Sequence, residues 1–225
     1  VKSIRVTIMV KLVAFDLEGN IGDTITMCLK AFKSAVGPHI GYKLSDEDMS
    51  QTFGLDEEGM IKHFVDNANL EVVINDFYII YQKMHFLCPQ PFEGIPELIN
   101  ELRDKSIPVV LITGKGKKSC EITLQQFGLD GYFDRLETGS SLRNRKCEAM
   151  RNLLADYDLK PDEMVYIGDT VSDISCCRFV GVRCLSAAWA KSADLIELEK
   201  YNKEYTFQSV CSLKEYLFAL LNDTR

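Results

Sequence analysis

Three short apolar runs rich in β-branched residues constrain the fold most: 11–15, 108–113 and 164–167. Each is too short for a buried helix, and each gives way at its carboxyl end to polar or acidic residues close to a glycine. Runs without polar alternation are expected of strands covered on both faces, as in parallel sheets, whose carboxyl ends open into ligand-binding loops. Helical patterns over 95–105, 119–127 and 147–157 alternate with these runs and call for right-handed crossovers. A fourth strand is predicted at 183–186, after Gly181, and a short edge strand at 205–207, before a final helix at 212–221. The predicted fold class is therefore α/β, a Rossmann-like, doubly wound and mainly parallel sheet.

Residues 23–91 break this rhythm. They read as consecutive helices with no convincing buried strand, and Pro89 and Pro91 mark the return to the sheet. The predicted division is an α/β core of residues 1–22 and 92–225 with an inserted helical cap over 23–91. A chain of 225 residues that is 46% hydrophobic can bury a core of this size. Its formal charge of −7 leaves no broad basic surface, which argues against nucleic acid and anionic membrane as partners.

The apolar run 6–15 is too short to span a membrane, contains Lys11 and ends at Asp16, so it reads as a strand and not as a signal peptide. A cytoplasmic protein is expected. Met9 offers a start, which would make residues 1–8 either native or appended. The eight cysteines form no C-x-x-C pair and are expected to be reduced and packed as small hydrophobes. His39, His63 and His85 all fall in the insertion and read as ordinary structural residues.

The chemistry concentrates at strand ends. Asp16 and Glu18 stand two residues apart after the first run, so the first carboxylate can face a ligand while the second approaches a leaving group. Taken alone, the same pair suits an ordinary helix-capping loop equally well. Asp169 and Asp173 lie just beyond the third run, and clustered carboxylates repel unless a cation neutralises them. Oxygen donors without a plausible His or Cys set point to Mg²⁺. Lys115, Lys117 and Lys118 read as a solvated loop, with Lys115 retained as a possible aid to phosphate binding. Glu57 and its neighbours in 54–59 read first as a helix start and second as a loop lowered over the site.

The order Asp16-x-Glu18-Gly19, Thr113-Gly114, Lys146 and Gly168-Asp169-x-x-x-Asp173 resembles the four motifs of the haloacid dehalogenase superfamily across nearly the whole chain. Further similarity to its phosphoglycolate phosphatase-like branch lies in 92–95, 127–134 and 181–183, and the insertion falls where that branch carries its helical cap. The resemblance implies hydrolysis of a small phosphorylated metabolite. Asp16 would be the nucleophile and a metal ligand, and Glu18 the general acid/base with its backbone carbonyl on the metal. Thr113, Gly114 and Lys146 would bind phosphate, Asp169 would complete the Mg²⁺ site, and Asp173 would order a metal-bound water or Lys146.

Two residues depart from the family pattern. Glu18 replaces the usual second aspartate, a substitution similar to that in enolase-phosphatases of the same superfamily, and Asn20 replaces the usual threonine. Two other readings stay open at this point: a phosphomutase, and a phosphate-ligand binding protein impaired in turnover by Glu18 and Asn20. The sequence specifies no natural substrate and no oligomeric state.

Overall fold

A computed structural model describes residues 9–222; residues 1–8, on which the question of the start falls, lie outside the described residues. Six strands, β1 (Leu12–Phe15), β2 (Val109–Ile112), β3 (Arg135–Glu137), β4 (Met164–Gly168), β5 (Arg183–Ala187) and β6 (Thr206–Phe207), form one sheet in the order β3-β2-β1-β4-β5-β6. Every pairing is parallel. The first strand thus sits inside the sheet, with Phe15 opposite Leu111 on one side and Ile167 on the other.

The period-two alternation of β1 divides its side chains between two cores. Val13 and Phe15 join one with Leu98, Leu102, Leu213 and Leu217, while Leu12 and Ala14 join another with Met150, Leu153, Ile174 and Leu198. Helices α5 (Ile95–Asp104), α6 (Lys117–Phe127) and α10 (Val210–Asn222) contribute to the first. Helices α7 (Lys146–Asp156), α8 (Val171–Val180) and α9 (Leu195–Asn202) contribute to the second. Covering on both faces is what allows a strand as uniformly apolar as Leu-Val-Ala-Phe.

Between β1 and α5 lie α1 (Ile25–Val36), α2 (Asp46–Ser50), α3 (Glu57–Phe64) and α4 (Leu70–Met84). Helices α1 and α4 pack on one another, with Phe32 edge-on to Phe77 at 6.4 Å and Phe77 stacked on Tyr81 at 5.6 Å. The excursion leaves and returns at one place, because Phe92 N–H donates to the Ile21 carbonyl at 2.8 Å. Tyr81 ties α4 to α6 through a 2.7 Å hydrogen bond between its hydroxyl and that of Thr123. His85 bonds the same hydroxyl and is buried, while His39 and His63 are exposed.

Two expectations need correction. Strand β3 was not predicted; Arg-Leu-Glu is short and polar, and it is a strand because it pairs with the outer side of β2. The expectation of eight reduced cysteines also fails, since Cys147 on α7 and Cys176 on α8 are joined as a disulfide, their Cα atoms 5.4 Å apart. These helices pack side by side, an adjacency that residues 29 apart in sequence do not advertise. The other six cysteines are free, and four of them are buried.

Candidate active site

Asp16 follows β1 directly, and its backbone N–H donates to the Ile167 carbonyl at 2.9 Å, continuing the pairing with β4. Its side chain is buried, with Oδ1 accepting from the Leu17 N–H at 2.7 Å and Oδ2 from Lys146 Nζ at 2.5 Å. Lys146 opens α7, and the same ammonium donates to Asp173 Oδ1 at 2.7 Å. Asp173 is oriented by local sequence: as third residue of α8 it forms a capping box with Thr170, which occupies Oδ2 and leaves Oδ1 for Lys146 and the Tyr166 hydroxyl.

Asp169, at the carboxyl end of β4, completes a buried group in which Asp16, Asp169 and Asp173 each offer an oxygen within 4.8 Å of the others. Lys146 supplies one positive charge to three carboxylates. Burial pushes Asp16 up to about 6, with Lys146 opposing the shift and Asp173 adding to it. Burial and the charges of Asp16 and Asp173 hold Asp169 well above the usual carboxylate range, whereas Lys146 and Thr170 bring Asp173 below it despite its burial. An excess of buried anionic oxygen suits a hard divalent cation, so this donor set fits a metal of the Mg²⁺ class.

Gly19 explains how the loop after β1 fits against this group. It has φ +68°, and a Cβ there would overlap the Asp169 carboxylate. Thr113 and Gly114 follow β2, beside β1; Thr113 is buried, its hydroxyl accepts from the Lys115 N–H at 3.2 Å, and its own N–H donates to the Glu137 carbonyl of β3. Asn20 is fully buried, and neither polar atom of its side chain has a hydrogen-bond partner among the described residues; its backbone carbonyl accepts from the Trp189 indole at 3.1 Å.

Glu18 points elsewhere. Its carboxylate is not among the three clustered acids and meets Lys115 Nζ at 3.1 Å. The reading of Lys115 as a solvated lysine is thereby corrected: it is 2% exposed, because its ammonium lies between Glu18 and Glu57 and over the Tyr81 ring. Glu57 is itself buried, 2.9 Å from Lys115, and accepts from the Gly116 N–H and the Ser119 hydroxyl. Burial pushes Glu57 up, but Lys115 and these hydrogen bonds outweigh it and leave its carboxyl below the ordinary value. In the segment 54–59 Asp56 caps α3 through the Gly59 N–H, the predicted helix start, while Glu57 bonds Lys115, Gly116 and Ser119 in the loop and helix after β2. The signal in the sequence was Lys115 itself, placed immediately after Thr113-Gly114.

A cavity of about 280 Å³ opens beside Glu18, Gly114 and Lys115, walled mainly by α1 and the segment leading into α3. Among the described residues no helix is long and apolar enough to cross a membrane.

Residues 13–187 match the model of the haloacid dehalogenase-like hydrolases. A protein of Caldanaerobacter subterraneus subsp. tengcongensis, provisionally assigned as the pyrophosphatase PpaX, is 29% identical over 180 residues, which cover 79% of this chain and 81% of that one. A haloacid dehalogenase-like family hydrolase from Streptococcus pneumoniae superposes with a TM-score of 0.70 at 21% identity, covering 92% of this chain and 98% of its own. A predicted phosphatase from Clostridium acetobutylicum gives 0.73 at 21% identity, covering 94% and 99%. With the family match spanning most of the chain and the four motif segments gathered at one sheet edge, the chain belongs to the haloacid dehalogenase-like hydrolases, in their phosphatase class.

Proposed function

We propose that this protein is a Mg²⁺-dependent phosphomonoesterase acting on a small phosphorylated metabolite through an aspartyl-phosphate on Asp16. The observation that carries the reading is the buried Asp16 carboxylate, held by Lys146 beside Asp169 and Asp173 at the carboxyl ends of neighbouring strands. Asp16, Asp169 and the Glu18 backbone carbonyl would hold Mg²⁺, with Asp173 supporting Lys146. The cation, when bound, supplies charge neutralisation for the transferring phosphoryl group.

The remaining roles belong to the chain. Asp16 attacks phosphorus through one carboxylate oxygen, and Lys146 stabilises the charge shared by nucleophile and phosphate. Thr113 and the Gly114 N–H bind the phosphoryl oxygens. Glu18 donates a proton to the departing oxygen and then takes one from the water that cleaves the acyl phosphate. Its extra methylene relative to aspartate lets it remain on Lys115 while facing the cavity. The helical insertion of residues 23–91 serves as a cap, joined to the loop after β2 by Glu57.

The test is phosphate release from a panel of phosphomonoesters with and without Mg²⁺. Asp16→Asn is expected to lower turnover on the order of 10³-fold or more. Glu18→Asp, which gives up Lys115, is expected to lose about 10²-fold. Turnover that survives Asp16→Asn, or is indifferent to Mg²⁺ and a chelator, would overturn the proposal.

A further inference from the structure

The cavity beside Glu18 carries information about the group that leaves. Six of the residues around it are apolar: Ile25, Leu29 and Phe32 from α1, Phe53 and Leu55 from the segment before α3, and Met60 from α3 itself. Lys115 is the only cation among its lining residues, and it is already engaged by Glu18 at 3.1 Å and Glu57 at 2.9 Å. The charged lining is therefore two carboxylates to one ammonium. A second phosphate or a carboxylate placed here would lose its hydration, meet excess negative charge and find no free cationic partner. An apolar group loses nothing and removes its own surface and the wall from water. The volume of about 280 Å³ lies near the lower end of the ~300–1,000 Å³ range of small-molecule pockets.

We infer that this cavity receives an apolar leaving group, so that the preferred substrate is the phosphomonoester of an aromatic or branched aliphatic alcohol and not pyrophosphate, a bisphosphate or a phosphorylated hydroxy acid. The inference rests on the phosphatase reading above, because it takes Gly114 and Glu18 as marking the phosphate end of the cavity. In the reaction the bond from phosphorus to the alcohol oxygen breaks as the bond to Asp16 forms. Glu18 gives its proton to the alkoxide, and the neutral alcohol departs; water then returns Asp16 and inorganic phosphate. Phe53, 61% exposed at the rim, is placed to cover the apolar end of such a substrate.

Two measurements test this separately from the reaction itself. With Mg²⁺, kcat/KM is compared for cyclohexylmethyl phosphate, whose alcohol is apolar but no better a leaving group than a sugar hydroxyl, against glycerol phosphate, phosphoglycolate and pyrophosphate. The apolar ester is expected to lead by ~10-fold or more, and Leu29→Asn to raise its KM by ~10-fold. Binding of benzylphosphonate and methylenediphosphonate to the Asp16→Asn protein is then measured by calorimetry in the presence of Mg²⁺. Tighter benzylphosphonate binding supports the inference even if no ester is hydrolysed, an outcome that would remove only the phosphatase reading. Equal or tighter binding of methylenediphosphonate, or faster turnover of pyrophosphate or phosphoglycolate, overturns the inference while leaving that reading in place.

Discussion

Lys146 reaches two acids at once, Asp16 and Asp173, and this sharing sets what its removal does. Lys146→Met leaves two buried carboxylates without their ammonium and is expected to cost about 3–5 kcal/mol in denaturant unfolding, as well as activity. Gly19→Ala combines a left-handed φ of +68° with overlap on Asp169, so both folding stability and phosphate release are expected to fall; unchanged activity would show that the loop can shift. At this scale the acids after β1 and β4 were legible because apolar runs ended at them. Lys115 was legible only by its place directly after Thr113-Gly114, since its inward direction depends on Glu57, 58 residues earlier in the chain.

Among the elements, α3 is fastened most specifically to the sheet-edge loops. Glu57 in its first turn bonds Lys115, Gly116 and Ser119, the Asp56 N–H donates to the Ser140 carbonyl at 3.0 Å, and Gly59 lies against the Ser141 backbone. Because the Glu57 carboxyl is held below its ordinary value in the folded protein, its contribution is complete above the unfolded carboxylate range and is lost as pH falls through the folded value. Glu57→Ala is expected to destabilise by about 3–5 kcal/mol near neutral pH and to flatten the acid limb of the stability profile, measured by denaturant titration across pH. An unaltered acid limb would show that Glu57 is not the group responsible. Elements with strong internal patterning, such as β1, β4 and α5, were readable within a few residues of their ends. Strand β3 was not, because its conformation is imposed by the edge of β2 and not by its own three residues.

For the molecule as a whole, the sheet order places every candidate catalytic group at the carboxyl ends of neighbouring strands or on the helices that follow them. Phe15, fully buried beneath that edge, links the site to the larger core, and Phe15→Ala is expected to cost about 3–5 kcal/mol by thermal or denaturant unfolding. The same order has a consequence for synthesis. β1 emerges early, yet one of its two hydrogen-bonding edges waits for residues 164–167, which pair with residues 12–15. The seam in the middle of the sheet therefore closes after the β1–β2 and β2–β3 seams and before those of β5 and β6, and Asp16 stays apart from Asp169 and Asp173 until residues 164–173 have been made. A nascent chain stalled before that point would carry both an unfinished site and an open apolar strand edge, the surface that chaperones must shield.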